Sequence, residues 1–143
     1  MDVRGILATK GDQVARIRTD ATVSEALEEL AIHDIGALVV SNDGEHIDGL
    51  LSERDVARAM REHGPDLLDR PVGDVMAQKV ATCELDDTVP HLMAVMTELR
   101  MRHLPVVLDG RLVGLVSIGD VVKRRVDELE TLHGQMVQYI QGR

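Results

Sequence analysis

Aromatic side chains are almost missing from this sequence: it has no Phe, no Trp and a single Tyr, Tyr139. The stacking platforms that hold single-stranded nucleic acid are therefore absent. The formal net charge of -9 repels phosphate backbones over most of the surface, which argues against general nucleic-acid binding. Cysteine is equally scarce. Cys83 stands alone and excludes an internal disulfide and a cysteine-rich zinc site. No apolar run approaches the ~18 residues of a membrane span. The opening Met1-Asp2-Val3-Arg4-Gly5 carries no signal-peptide apolar stretch. The expectation is a protein of a reducing cytoplasm, with neither membrane nor nucleic acid as partner.

What is present is aliphatic. Apolar residues make up 44% of 143, so the chain can build one domain, or two small units sharing a core, from Val, Leu, Ile, Ala and seven Met.

The sequence is written twice. Residues 14–44 align with 80–110 without a gap, and 49–60 align with 114–125. Identical pairs include Val14/Val80, Asp20/Asp86, Thr22/Thr88, Leu38/Leu104, Val40/Val106, Asp43/Asp109, Gly44/Gly110, Gly49/Gly114, Ser52/Ser117 and Asp55/Asp120. A weaker echo precedes each copy, Val3-Arg4-Gly5-Ile6-Leu7 against Val72-Gly73-Asp74-Val75-Met76.

Each copy predicts the order β-α-β-β-α. A strand over 14–18 or 80–84 leads to Thr22 or Thr88 as helix cap, with Thr22 and Glu25 forming a capping box. Val23, Ala26, Leu27 and Leu30, and Val89, Leu92, Met93 and Met96, follow the helical i, i+3, i+4, i+7 pattern. Strands Gly36–Ser41 and Ile47–Leu51 flank the turn Asn42-Asp43-Gly44, and Leu104–Leu108 and Leu112–Val116 flank Asp109-Gly110. A second helix closes each copy, and Asp66–Pro71 links the two. Strands apolar at nearly every position need both sheet faces covered, and one copy is too small to cover its own. The expected fold is α/β (α+β), with two tandem repeats packed as one pseudo-twofold domain. The boundaries read as 1–66 for the first repeat with the N-terminal segment, 67–126 for the second with the linker, and 127–143 for a long helical extension. Along that extension Val122, Val126, Leu129, His133, Met136 and Ile140 alternate in steps of four and three, a seam suited to another helix or to folding back on its own domain.

Candidate chemistry gathers where each third strand ends: Gly49-Leu50-Leu51-Ser52-Glu53-Arg54-Asp55 and Gly114-Leu115-Val116-Ser117-Ile118-Gly119-Asp120. Ser at a strand end and Asp one turn on suit plain helix capping. They equally suit a phosphate on free helix N–H groups and a carboxylate reaching a ribose diol. Spacing alone leaves both open. Arg100, Arg102, His103, Lys123, Arg124 and Arg125 cluster by sequence around the second box, where they can focus an anion or simply form a solvated helix face.

The duplicated β-α-β-β-α unit, the G-h-h-S-x-x-D closing each copy and Arg102-His103-Leu104-Pro105-Val106-Val107 together resemble a tandem CBS-domain pair, or Bateman module, of the stand-alone bacterial type, over essentially the whole chain. The resemblance implies a non-catalytic sensor of adenosine-containing ligands (AMP, ADP, ATP, NAD(H) or S-adenosylmethionine) that needs no cofactor, binds in clefts between the copies, forms a homodimer and regulates an unidentified protein. By position, Asp120 would hold the ribose with Ser117 beside it, and Arg102 and His103 would face the phosphate. Val80, Thr82 and the strand Leu104-Pro105-Val106 would border the adenine. In the other cleft Asp55 and Ser52 would play the ribose roles near Ile17, Ala37 and Leu38. Gly36-Ala37 replaces Arg102-His103 there, leaving Arg54 and Arg58 as the nearby cations. The alternative is a constitutive dimerisation scaffold with vestigial clefts.

Enzyme readings find little support. No two histidines have the spacing of a helical zinc site. His33, His63, His91 and His133 fall on predicted helices without an acidic partner at useful spacing. Cys83 has no adjacent base, and neither a G-x-S-x-G elbow nor a G-x-x-x-x-G-K-[ST] loop occurs.

Overall fold

The computed structural model describes residues 1–142. Helix α1 (Val3–Lys10) leads into β1 (Arg16–Ile17), α2 (Val23–His33), β2 (Ala37–Val40), β3 (Gly49–Ser52) and α3 (Glu53–His63). Two 3₁₀ turns, Gly64–Asp69 and Val72–Asp74, connect to β4 (Cys83–Glu84), α4 (Val89–Leu99), β5 (His103–Leu108), β6 (Arg111–Ser117) and α5 (Ile118–Gln141). The β-α-β-β-α order thus occurs twice, each time with a three-stranded sheet whose first pair is parallel and whose second is antiparallel.

Local choices follow the sequence. Thr22 and Glu25 close the expected capping box, and Thr88 caps α4. Both α2 and α4 end on a left-handed residue, Asp34 (φ 51°) and Arg100 (φ 54°), which turns the chain directly into β2 and β5. Asp109 and Gly110 both take positive φ, as a tight two-residue hairpin requires. The first hairpin is wider than expected. Asp43 Oδ1 accepts from the N–H groups of Glu45 and His46, and Asp48 accepts from the Asn42 N–H, so Ile47 and Asp48 leave the strand. The leading strands are also shorter than 14–18 and 80–84. Each pairs with one neighbour only, and Val14 and Val80 pack in the cluster between the sheets. Met93 lies at the rim of its helix face, 38% exposed. His33 does have an acidic partner: Glu29, one turn earlier, lies 3.2 Å from its Nε2.

The core has three parts. One lies under each copy's helices, and a smaller one, with Ala37, Val39, Leu50 and Leu112 at its centre, joins the two sheets. The segment before each copy packs into the other copy. Val3, Ile6 and Leu7 of α1 are buried with Cys83, Val89, Leu92, Leu104 and Val121. Reciprocally, Leu67 and Val72 are buried with Val23, Leu30, Leu38 and Leu51. Main-chain bonds fix the exchange: Val3 N–H to Asp87 C=O (3.0 Å) on one side, Val72 N–H to Ala21 C=O (2.7 Å) on the other. It also accounts for the repeated glycine. A Cβ at Gly49 would meet Met76 Sδ at 2.5 Å and Ala77 O at 2.8 Å, and one at Gly114 would meet Leu7 Cδ1 at 2.8 Å.

Helix α5 packs on its own half only through its first turns, where Val121 is buried. Along its other side Val122, Val126, Leu129, Met136 and Ile140 stand exposed. Among the described residues no helix is long and apolar enough to cross a membrane.

Candidate functional site

The two strand-end motifs fold alike. Ser117 caps α5, its Oγ accepting from the Asp120 N–H (3.2 Å) while Asp120 Oδ2 accepts from the Ser117 N–H (2.9 Å). Ser52 and Asp55 repeat this at 3.1 Å and 2.9 Å, and Ser52 Oγ also donates to Asp55 Oδ2 (2.9 Å). The capping role is realised in both copies. It uses Oδ2 of each carboxylate, and Oδ1 takes no part in it.

The second motif has a further neighbour. Lys10, at the end of α1, donates from Nζ to Leu115 C=O (2.8 Å) and to Asp120 Oδ2 (2.6 Å). Burial works to raise the Asp120 carboxyl, but the Lys10 ammonium and the Ser117 N–H outweigh it and hold the group below the ordinary carboxylate range. Sequence reasoning missed Lys10. It belongs to no motif and lies 110 residues from its partner; only the echo before each copy marked its segment.

His103 faces Ser117 across the β5–β6 ladder. Its ring lies against the first copy, since a Cβ added at Gly36 would be 3.5 Å from Cε1 and Nε2. Burial lowers its pKa, Lys10 and Arg102 push the same way, and Asp120 and Glu53 oppose them in part. These effects hold His103 below the ordinary histidine range and favour its neutral imidazole form. Arg102 is exposed, and its C=O accepts from the Ile118 N–H (2.8 Å), as Gly36 C=O accepts from the Glu53 N–H (3.0 Å) in the first copy. A cavity of about 250 Å³ opens beside Asp120, lined by Ile6, Thr9, Lys10, Lys123, Arg124 and Asp127. Lys10, Lys123 and Arg124 therefore share this cavity with Asp120 and Asp127, while neither Arg102 nor His103 lines it.

The remaining expected residues divide. Thr82 is exposed near the mouth of β4, and Val80 is half-buried between the sheets. The side chains of Leu38, Leu104 and Val106 are fully buried in the helix-covered cores, and Ile17 nearly so, while Ala37 is buried between the sheets and Pro105 is buried in β5. What the core-facing residues can offer a ligand is main chain. Arg54 and Arg58 lie exposed on α3. A larger groove of about 530 Å³ runs between the copies along Asp12, Gln13, Val14, Arg16, Leu112 and Val113, and no expected site residue lines it. Cys83 is buried, its thiol pushed up to about 12 by burial and by Asp87. No metal-binding cluster occurs among the described residues.

Comparison with known proteins bears on this geometry. The family model of the CBS domain matches residues 3–62 and 72–127. The mitochondrial CBS domain-containing protein CBSX3 of Arabidopsis thaliana is 38% identical over 128 residues, covering 87% of this chain but only 62% of the plant protein. This chain therefore spans less than two thirds of that relative. A CBS-domain containing protein from Agrobacterium tumefaciens superposes with a TM-score of 0.84 at 40% identity, over 87% of this chain and 99% of that one. A CBS domain pair solved with 5′-methylthioadenosine and S-adenosyl-L-methionine superposes at 0.77 over 86% of this chain and 98% of its own, its 23% identity marking a likeness of fold.

Proposed function

The chain belongs to the CBS-domain family, with two tandem copies, and from that premise we propose that it is a sensor of adenosine-containing ligands acting from the cytoplasm on an unidentified partner protein. CBS pairs are regulatory modules, and a structural neighbour holds two adenosine derivatives. The observation that carries the reading is the gathering of Lys10, His103 and Asp120 where the second copy meets Gly36 of the first. A ribose can take Asp120 Oδ1, which capping leaves available. A phosphate can draw Lys10 away from Asp120 and meet Arg102. The ligand is AMP, ADP, ATP, NAD(H) or S-adenosylmethionine, and the protein acts as a homodimer without catalysis. The first copy, with Gly36-Ala37 in place of Arg102-His103, is the weaker site, its ribose residues being Ser52 and Asp55.

One observation favours a different reading. Lys10 already satisfies Asp120 Oδ2, as expected of a dimerisation scaffold whose cleft is vestigial. Calorimetric titration with AMP, ATP, NADH and S-adenosylmethionine separates the two. The sensor reading requires saturable binding of at least one; four flat titrations leave the scaffold.

A further inference from the structure

We infer that α5 pairs with α5 of a second copy of this chain, side by side and pointing the same way, along Val122, Val126, Leu129, His133, Met136 and Ile140. This adds an interface to the homodimer proposed above and does not depend on ligand binding.

The helix is 24 residues long, and from Val126 onward every described residue is exposed except the half-buried Glu128 and Val137. Helices of about 15 residues without tertiary support are marginal in water, and this one displays a continuous apolar line. Val122, Val126, Leu129, Met136 and Ile140 are 45–65% exposed, and His133 is exposed among them. Their alternating steps of four and three place Val122, Leu129 and Met136 at d and Val126, His133 and Ile140 at a of a heptad, a seam of roughly 27 Å at 1.5 Å per residue.

The flanking residues identify the occupant. Arg125 falls at g and Glu130 at e. In a parallel pair each g residue faces the partner's e residue five positions on, so Arg125 meets Glu130 on both sides of the seam. One heptad later the same geometry sets Leu132 against Val137, apolar on apolar. Antiparallel pairing opposes g with g and e with e, and so brings neither match. Arg125 lies 3.3 Å from Glu128 of its own helix, and its five donors suffice to serve both carboxylates. The seam is therefore complementary to itself in one orientation. His133 is its single polar a residue, a position that selects register at some expense of stability.

Analytical ultracentrifugation of the full chain tests the interface. The wild type is expected to sediment as a dimer. Leu129→Glu with Met136→Glu, both at exposed positions, is expected to raise the dissociation constant by about 100-fold, the scale of losing central contacts, with an unchanged circular dichroism spectrum. Ile140→Cys is expected to form a disulfide-linked dimer on mild oxidation, because a faces a only in the parallel arrangement; buried Cys83 does not compete. A wild-type dimer that survives the double substitution overturns the seam while leaving the homodimer. A monomeric wild type overturns both, and dissociation without cross-linking of Ile140→Cys overturns the parallel pairing.

Discussion

The capping boxes Ser52–Asp55 and Ser117–Asp120 agree to within 0.1 Å in their two shared bonds, yet the chain covers them differently. Over the first box, Leu50 exchanges two main-chain hydrogen bonds with Ala77, 3.0 and 2.9 Å. Over the second, the equivalent carbonyl of Leu115 is met by the side chain of Lys10, which also holds Asp120. Main chain in a ladder moves only if the linker moves. A lysine needs only to change rotamer. Identical motifs thus differ in what meets the strand beside them, main chain at Leu50 and a lysine side chain at Leu115, and that difference lies in the segments before each copy.

That contrast can be tested at three levels. The largest effect is expected on ligand binding: Asp120→Ala should weaken nucleotide affinity by about 10–100-fold, the scale of a hydrogen bond to a charged group, while Asp55→Ala changes it little. Equal losses in calorimetry would erase the asymmetry. Next come the paired glycines. Gly49→Ala drives a Cβ towards main chain at Ala77 O and should cost about 1–3 kcal/mol of unfolding free energy in urea. Gly114→Ala meets only the tip of Leu7 and should lose less. The reverse order would show the linker to be the looser of the two. The smallest effect concerns pH. Because the Asp120 carboxyl titrates below its ordinary value in the fold, its contribution to stability is present above about pH 4 and is lost as pH falls through the depressed value. For a pair with side chains 35% and 24% exposed, that contribution is at most ~1 kcal/mol after screening. Lys10→Met should therefore destabilise the protein near pH 6 and much less at the acid limit of the native state. An equal loss at both would exclude the ion pair as its cause.

Much of this architecture was legible in the residues. The repeat fixed the element order, because apolar spacing of Val23, Ala26 and Leu30 suits only a helix face and the runs around Val40 and Val106 suit only covered strands. The Ser and Asp motifs were found but not decided: capping and ligand binding demand the same atoms at the same spacing, and the fold shows the capping bonds. Two things were hidden. The echo of residues 3–7 in 72–76 marks the leading segments as repeated, but neither the helix over Val3–Lys10 nor its burial in the other half follows from it, so the exchange could not be read. Nor does a lone lysine beside Gly11 announce a carboxylate in the distant second copy. His103 was found, while the packing of its ring beside Gly36, a contact between halves, was not.

The exchanged leading segments bear on cooperativity. Each half's interior is completed by chain that precedes the other half, so neither can lose its structure without uncovering Val3, Ile6 and Leu7 or Leu67 and Val72 in its neighbour. Heating should accordingly melt the molecule in one calorimetric transition, and a fragment starting at residue 67 should emerge with an unfilled interior rather than as an independent folding unit.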